Sequence, residues 1–214
     1  MTQLKVNVAA AGRGRPDARL LMLIHGYGAD EHDLAPLATV LDPDGDFLTI
    51  CPRGLIDLTP TGGAAWYDRS EGGEVEPTSM QDAILSLDHL IDAVCKAKEL
   101  TRSQSVVIGF SQGGAMALAL SLRETTKARP AGVACLSGML QEPDWLRYGW
   151  DSANLPPVMV QHGTDDPMVP IARGHRTRDT LAQHGVAAEY HEYPMQHEIR
   201  PESIADLRAW LARI

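Results

Sequence analysis

Gly109-Phe110-Ser111-Gln112-Gly113 sets a serine between two glycines at the G-x-S-x-G spacing. The apolar run Val106-Val107-Ile108 comes just before it, and a segment rich in Ala and Leu follows. That context predicts a strand, a sharp turn and a helix, with the serine on the turn. Such a turn strains the backbone and aims the hydroxyl outward, while side chains at 109 and 113 would collide with neighbouring backbone. The start of the helix presents free N–H groups, and the Gln112 N–H can face a developing oxyanion. An ordinary Gly-rich strand-to-helix turn is the bland alternative.

A serine hydroxyl is a weak nucleophile until a base takes its proton. The expected chain order is serine, then an acid, then histidine. Val158–Gln161 reads as a strand and runs into His162-Gly163-Thr164-Asp165-Asp166-Pro167. Of the two aspartates Asp166 is favoured, because Pro167 restricts it to an extended backbone. Asp165 is the competitor, read as a turn residue. His197 follows the strand Glu189–Tyr193, in the loop Pro194-Met195-Gln196-His197-Glu198. His191 is its rival but lies within that strand. A histidine base predicts activity that falls in acid, as the imidazole takes a proton. His25 precedes the serine and ends a buried strand, so it is read as structural. The glycines of His25-Gly26-Tyr27-Gly28 allow a tight turn and close approach to a ligand, which makes the Tyr27 N–H the second candidate oxyanion donor.

These residues need elements to carry them. The strand candidates are 4–8, 20–24, 47–51, 106–110, 133–136, 158–162 and 189–193. Several are continuous apolar runs, as expected of strands buried on both faces of a parallel sheet. Met80, Ile84, Leu87, Ile91 and Val94 mark one helix face, with Thr78 and Gln81 as a capping box. Further helices are expected at 112–123, 176–184 and 203–214, with Gly185 a stop. The alternation predicts an α/β fold: a three-layer sandwich with a mostly parallel central sheet of about seven strands flanked by helices. Strands one and two, joined through Gly12-Arg13-Gly14-Arg15-Pro16, are expected to form an antiparallel hairpin. Ligands in such sheets sit beyond the carboxyl ends of the strands, and the three motifs fall there.

At 214 residues the chain suits one domain, 1–214. The irregular segments 52–77 and 138–157 are candidate lid or pocket walls. Trp66, Met139, Leu140, Trp145 and Met168 are candidate substrate-binding residues, with core packing as their alternative. Net charge −9 makes nucleic acid and anionic membranes poor partners. The chain shows no membrane-spanning run and no signal peptide pattern, which predicts a cytoplasmic protein. Cys51, Cys95 and Cys135 read as small buried hydrophobes. His25, Asp30, Glu31, His32 and Asp33 lack ligand spacing, so no metal is expected. They read instead as a solvated helix start capped by Asp30.

With these residues assembled, the sequence resembles the phospholipase/carboxylesterase group of α/β-hydrolases, which includes acyl-protein thioesterases. The matching pieces are Leu23 to Gly28, Gly109-Phe110-Ser111-Gln112-Gly113-Gly114, His162 to Pro167, Met195-Gln196-His197 and Trp66-Tyr67-Asp68. The resemblance implies Ser111, Asp166 and His197 as a triad, oxyanion donation from Tyr27 and Gln112, and no cofactor. It also implies a small-molecule ester or thioester substrate cleaved through an acyl-enzyme. Tyr27 is bulkier than the residue common at that place and narrows the first-loop side. The acidic stretch Glu71-Gly72-Gly73-Glu74-Val75-Glu76 has no counterpart in the resemblance. Two other readings stand beside the hydrolase: a lyase or perhydrolase on the same scaffold, and a non-catalytic ligand-binding module. Product analysis separates the first, and fluorophosphonate labelling of the serine separates the second. Oligomeric state is open, a homodimer included.

Overall fold

Strand β2 (Arg19–Ile24) explains the plan of the sheet. Leu20 to Ile24 are each 0% exposed, which requires a covered neighbour on every side. It takes parallel partners on both edges: β3 (Phe47–Pro52) and β6 (Ser105–Phe110). The computed structural model describes residues 4–12, 18–125, 128–151 and 154–214. Its main sheet has seven strands in the order β1-β3-β2-β6-β7-β8-β9. The remaining members are β1 (Val6–Ala10), β7 (Gly132–Leu136), β8 (Val158–Gly163) and β9 (Glu189–Tyr193). All pairings are parallel except β1 with β3.

That exception corrects the expected hairpin. β1 does not pair with β2; Val6 faces Pro52 and Asn7 faces Cys51 on β3. β2 has no free edge to offer, and β1, with Val8 58% exposed, suits the sheet margin. Residues 13–16 of the expected turn lie outside the described residues.

Alternation along β2 sends Leu20, Met22 and Ile24 into one core and Leu21 and Leu23 into the other. The first core is covered by α2 (Pro77–Ala97), α3 (Gln112–Leu122) and α4 (Ile171–Gln183). The second is covered by α1 (Leu37–Leu41) and α5 (Pro201–Leu211), through Leu41, Leu207, Trp210 and Leu211. The result is a three-layer sandwich. α3 is buried on every side, between the sheet and α2, which is why it carries no polar stripe.

Several local expectations shift. The cap of α2 is Glu76, whose carboxylate accepts from Thr78 N at 3.1 Å and Ser79 N at 2.6 Å. Pro77 fits the first helical position and donates nothing there, so the cap falls at Glu76, two residues before the expected Thr78, and the Thr78–Gln81 capping box does not form. Segment 52–77 holds a small antiparallel pair, β4 (Ile56–Leu58) and β5 (Gly63–Ala65). α4 and α5 begin earlier than expected. Gly185 does end α4, at φ +74. The three cysteines are free and buried, and burial pushes the Cys51 and Cys135 thiols up to about 12. Among the described residues no helix is long and apolar enough to cross a membrane.

Residues 30–33 form turns, not a helix start. Asp30 Oδ1 accepts from His32 N at 2.8 Å, and regular helix waits until Leu37. Glu31, expected in solvent, is 1% exposed and is held by Lys5 and by Arg53. Arg53 also reaches Asp57 and the carbonyls of Gly62 and Gly63. Gly28 N donates to Ala64 O, and Ala64 N to Ala29 O. The loop after β2 is thereby stapled to the β4–β5 pair.

Burial raises the Glu31 carboxyl, but hydrogen bonds from Lys5, its own backbone and Arg53, with the Lys5 charge, together hold it down to about 2. A carboxyl depressed on folding contributes stability above its unfolded value of 4.5 and loses that contribution as pH falls toward 2. Glu31→Gln therefore flattens the loss of stability across that window. Urea midpoints at pH 5 and pH 3 for the two proteins measure it, and equal slopes would remove Glu31 from the acid response.

Candidate active site

Ser111 sits between β6 and α3 at φ 55, ψ −118, a region that non-glycine residues avoid. The close packing around it explains the flanking glycines. A Cβ on Gly109 would lie 2.0 Å from Gly113 O, and one on Gly113 would lie 2.1 Å from Ile24 O. Ser111 N donates to Leu136 O at 2.8 Å, which pins the turn to the end of β7.

Two loops converge on this serine. His197, beyond β9, brings Nε2 to 2.8 Å from Ser111 Oγ. Its Nδ1 lies 2.7 Å from Asp166 Oδ2, beyond β8. An ionised carboxylate only accepts, so Nδ1–H donates to it and the Nε2 lone pair faces the serine hydroxyl. The Asp166 side chain is fully buried, and its Oδ1 accepts from Met168 N at 2.9 Å and Val169 N at 2.8 Å. Asp165 is exposed, and its carboxylate contacts only Thr164 Oγ1, at 3.4 Å, among the described residues. Phe110 packs on the His197 ring with centroids 4.8 Å apart, fixing its plane. His191, within β9, bonds Glu189 instead.

The first loop approaches from the other side. A Cβ on Gly26 would stand 3.2 Å from Ser111 Cβ, so only glycine allows this approach without displacement. Among the described residues the backbone N–H groups of Tyr27 and Gln112 donate to no protein acceptor. His25 is 1% exposed; its Nδ1–H donates to Gly26 O at 2.7 Å and Nε2 accepts from Gly54 N at 3.0 Å. Burial lowers its pKa, against the Gly26 carbonyl, which raises it. A neutral ring with one donor and one acceptor is what the loop brace needs. Among the described residues no group of three or more His, Cys, Asp or Glu is placed to hold a metal ion.

A cavity of about 640 Å³ opens over Ser111 and His197. Met139 and Met168 line it, as do Tyr27 and Gln112. The other three pocket candidates do not. Trp66 is 0% exposed in the core, with Nε1 bonded to His25 O at 2.9 Å; its neighbour Tyr67 lines the cavity instead. Leu140 and Trp145 line an adjoining cavity that shares Met139, Gln141 and Arg173 with the first. The alternation of side chains along segments 66–67 and 139–140 turns one residue of each pair away.

Sequence reasoning missed three contributions. The Gln112 side chain accepts from Trp66 N at 2.8 Å and donates to Tyr67 O at 2.7 Å, tying α3 to the cavity wall. His162, fully buried, donates Nε2–H to Val169 O at 2.7 Å and closes the turn that holds Asp166. Arg69 and Arg173 also face the cavity. Gln112 and His162 lie inside the quoted motifs, which give no sign of what their side chains hold, and neither motif nor periodicity marks Arg69 or Arg173.

Residues 7–214 match the family model described as Phospholipase/Carboxylesterase. Acyl-protein thioesterase 1 of Debaryomyces hansenii is 27% identical, over 96% of this chain and 95% of that protein. Carboxylesterase SOBER1 of Arabidopsis thaliana is 29% identical over 70% of this chain and 67% of its own length. Among solved structures, esterase PE8 superposes with a TM-score of 0.86 at 24% identity, covering 100% of both chains. The Bacillus cereus carboxylesterase gives 0.83 at 20% identity over 99% of this chain and 95% of its own. At those identities the two structures share the fold.

Gln112→Ala leaves the Trp66 N–H and the Tyr67 carbonyl buried without their partner. The expected cost is roughly 2–4 kcal/mol of stability. A urea unfolding curve checks it, and a midpoint equal to that of the parent would show that the amide bridge contributes nothing.

Proposed function

The chain belongs to the phospholipase/carboxylesterase family, and from that premise we propose that it hydrolyses carboxylic esters or thioesters through Ser111, His197 and Asp166. The observation that supports this most directly is the unbroken hydrogen-bonded path from Ser111 Oγ through His197 to a buried Asp166.

In the proposed cycle His197 Nε2 takes the Ser111 proton as the hydroxyl oxygen attacks the substrate carbonyl. Asp166 holds the imidazole in the tautomer with the proton on Nδ1 and stabilises the imidazolium that forms. Negative charge gathers on the former carbonyl oxygen, where the Tyr27 and Gln112 N–H groups serve as donors. Their availability to a ligand, and the placement of Gln112 at the start of α3, support that role. His197 then gives its proton to the leaving alcohol or thiol, and the C–O or C–S bond breaks. Water enters, loses a proton to His197 and attacks the acyl carbon; the acyl C–O bond to Ser111 breaks and His197 returns the proton to the Ser111 oxygen.

The whole chain acts as one domain in this reading. Segments 52–77 and 138–157 serve as pocket walls, through Tyr67 and Met139. The volume of about 640 Å³ suits a small-molecule ligand.

Hydrolysis of p-nitrophenyl esters from acetate to long acyl chains tests the proposal. Ser111→Ala is expected to lower kcat by about 10⁶-fold. Asp166→Asn is expected to lower it by about 10⁴-fold, because the amide supports the wrong tautomer. Thioesters are run alongside. Equal turnover by parent and Ser111→Ala would overturn the assignment.

A further inference from the structure

We propose that the Ser111 cavity selects substrates carrying an anionic group near the scissile carbonyl, with Arg173 as the specificity residue and Arg69 assisting it. This rests on the hydrolase reading above and names the substrate class of the same site.

The charge pattern of the chain makes these two side chains unusual. Acids outnumber bases 28 to 19. Arg53, Arg102, Arg123, Arg176, Arg200 and Arg213 each hold a carboxylate. Arg173, on the wall of the catalytic cavity, has no carboxylate partner among the described residues, and neither does Arg69. The Arg69 guanidinium lies over the Tyr67 ring, 5.7 Å from its centroid, and spends one donor on Gly73 O at 2.7 Å. It also hydrogen-bonds the Tyr67 hydroxyl, and no carboxylate takes its remaining donors among the described residues.

The backbone adds to this. Arg173 is the third residue of α4, and Pro170, just before that helix, lines the cavity too. The positive end of a 13-residue helix dipole is therefore on the same wall. In the lining of this cavity Asp68 is the one carboxylate, and Asp166 is spent on His197 behind it; the adjoining cavity that shares Arg173 is lined by Glu74, Glu76, Glu142 and Asp144. An unpaired guanidinium beside a nucleophile meets a carboxylate or sulfonate with two parallel N–H donors, which fixes orientation as well as charge. The neutral part of the substrate would rest on Met139 and Tyr67.

The anion can sit on the acyl chain or on the leaving group, and two substrate sets separate these. The first pairs p-nitrophenyl hydrogen succinate and glutarate with the neutral butyrate and valerate. The second pairs 4-acetoxybenzenesulfonate with phenyl acetate. Ser111→Ala supplies the blank, since a succinate half-ester attacks its own carbonyl unaided. Each protein is read by its own ratio of kcat/KM, anionic over neutral, at low and high salt. The expected ratio exceeds one in at least one set and shrinks as salt rises. It falls about tenfold in Arg173→Gln, the loss expected for one charged hydrogen-bonding partner, and recovers in part in Arg173→Lys. Which set responds assigns the arginines to the acyl or the leaving-group side. Ratios at or below one in both sets, or a ratio that Arg173→Gln leaves unchanged, overturn the proposal. Absence of turnover on every neutral and anionic ester would instead bring down the hydrolase reading beneath it.

Discussion

Ser111 has positive φ without being glycine, and the surroundings must hold it there against a cost on the order of 1–3 kcal/mol. They do so by covalent direction and by crowding. β6 delivers the chain to the turn, α3 carries it away at once, and Leu136 O takes the Ser111 N–H. The turn closes only because residues 109 and 113 lack side chains, since either Cβ would fall within about 2 Å of a carbonyl oxygen. Burial of the whole of α3 follows from the same geometry. A helix that starts at the centre of the sheet and crosses its face has no solvent side, so apart from Gln112 and Ser121 its residues are Ala, Leu, Gly and Met.

From that point the two cores divide the labour. The core under α2, α3 and α4 sets the height of the serine above the sheet. The parallel strands β8 and β9 then end near it and project the loops with Asp166 and His197. The oxyanion side is assembled differently, by polar contacts. His25 is braced between Gly26 O and Gly54 N, Trp66 bonds His25 O, and Arg53 with Glu31 ties the same loop to β4 and β5. Gln112 closes the circuit, because its backbone N–H donates to no protein acceptor among the described residues while its side chain holds the wall at Trp66 and Tyr67. One residue thus couples the proposed oxyanion donor to the shape of the pocket.

The readability of these features from sequence followed their physics. Strands buried on both faces appear as continuous apolar runs, and all seven were legible to within a few residues. The elbow was legible because its glycines hold a fixed spacing around the serine, although only Gly109 answers a demand within the turn (Gly113 O), while Gly113 answers one from Ile24 O on β2. Asp166 was separable from Asp165 through the local constraint of Pro167, and the structure buries the first and exposes the second. What escaped was set by partners far along the chain. β1 pairs with β3 because β2 is saturated by β3 and β6, which no local pattern states. Glu31 looked solvated among its charged neighbours, yet Lys5 and Arg53 arrive from 26 and 22 positions away to bury it. Trp66 and Tyr67 are adjacent and alike in type, and only the tertiary path decides which of them meets the cavity.

An acidic protein with an anion-selective pocket involves no contradiction, because the two charges act over different distances. At physiological salt a charge is felt over roughly 8 Å, so the excess acids spread over the surface contribute a slight, screened repulsion to an approaching anion. Inside the cavity the relevant neighbours are Arg69, Arg173, Asp68 and the start of α4. A guanidinium within hydrogen-bond reach of a bound anion counts for more than carboxylates beyond that range. The surface acids also have partners of their own: Asp88 holds Arg102 and Arg123, and Glu142 holds Arg176 beside the cavity mouth. Arg173, one turn before Arg176 on α4, lines the Ser111 cavity and has no carboxylate partner among the described residues, so its charge stays available there.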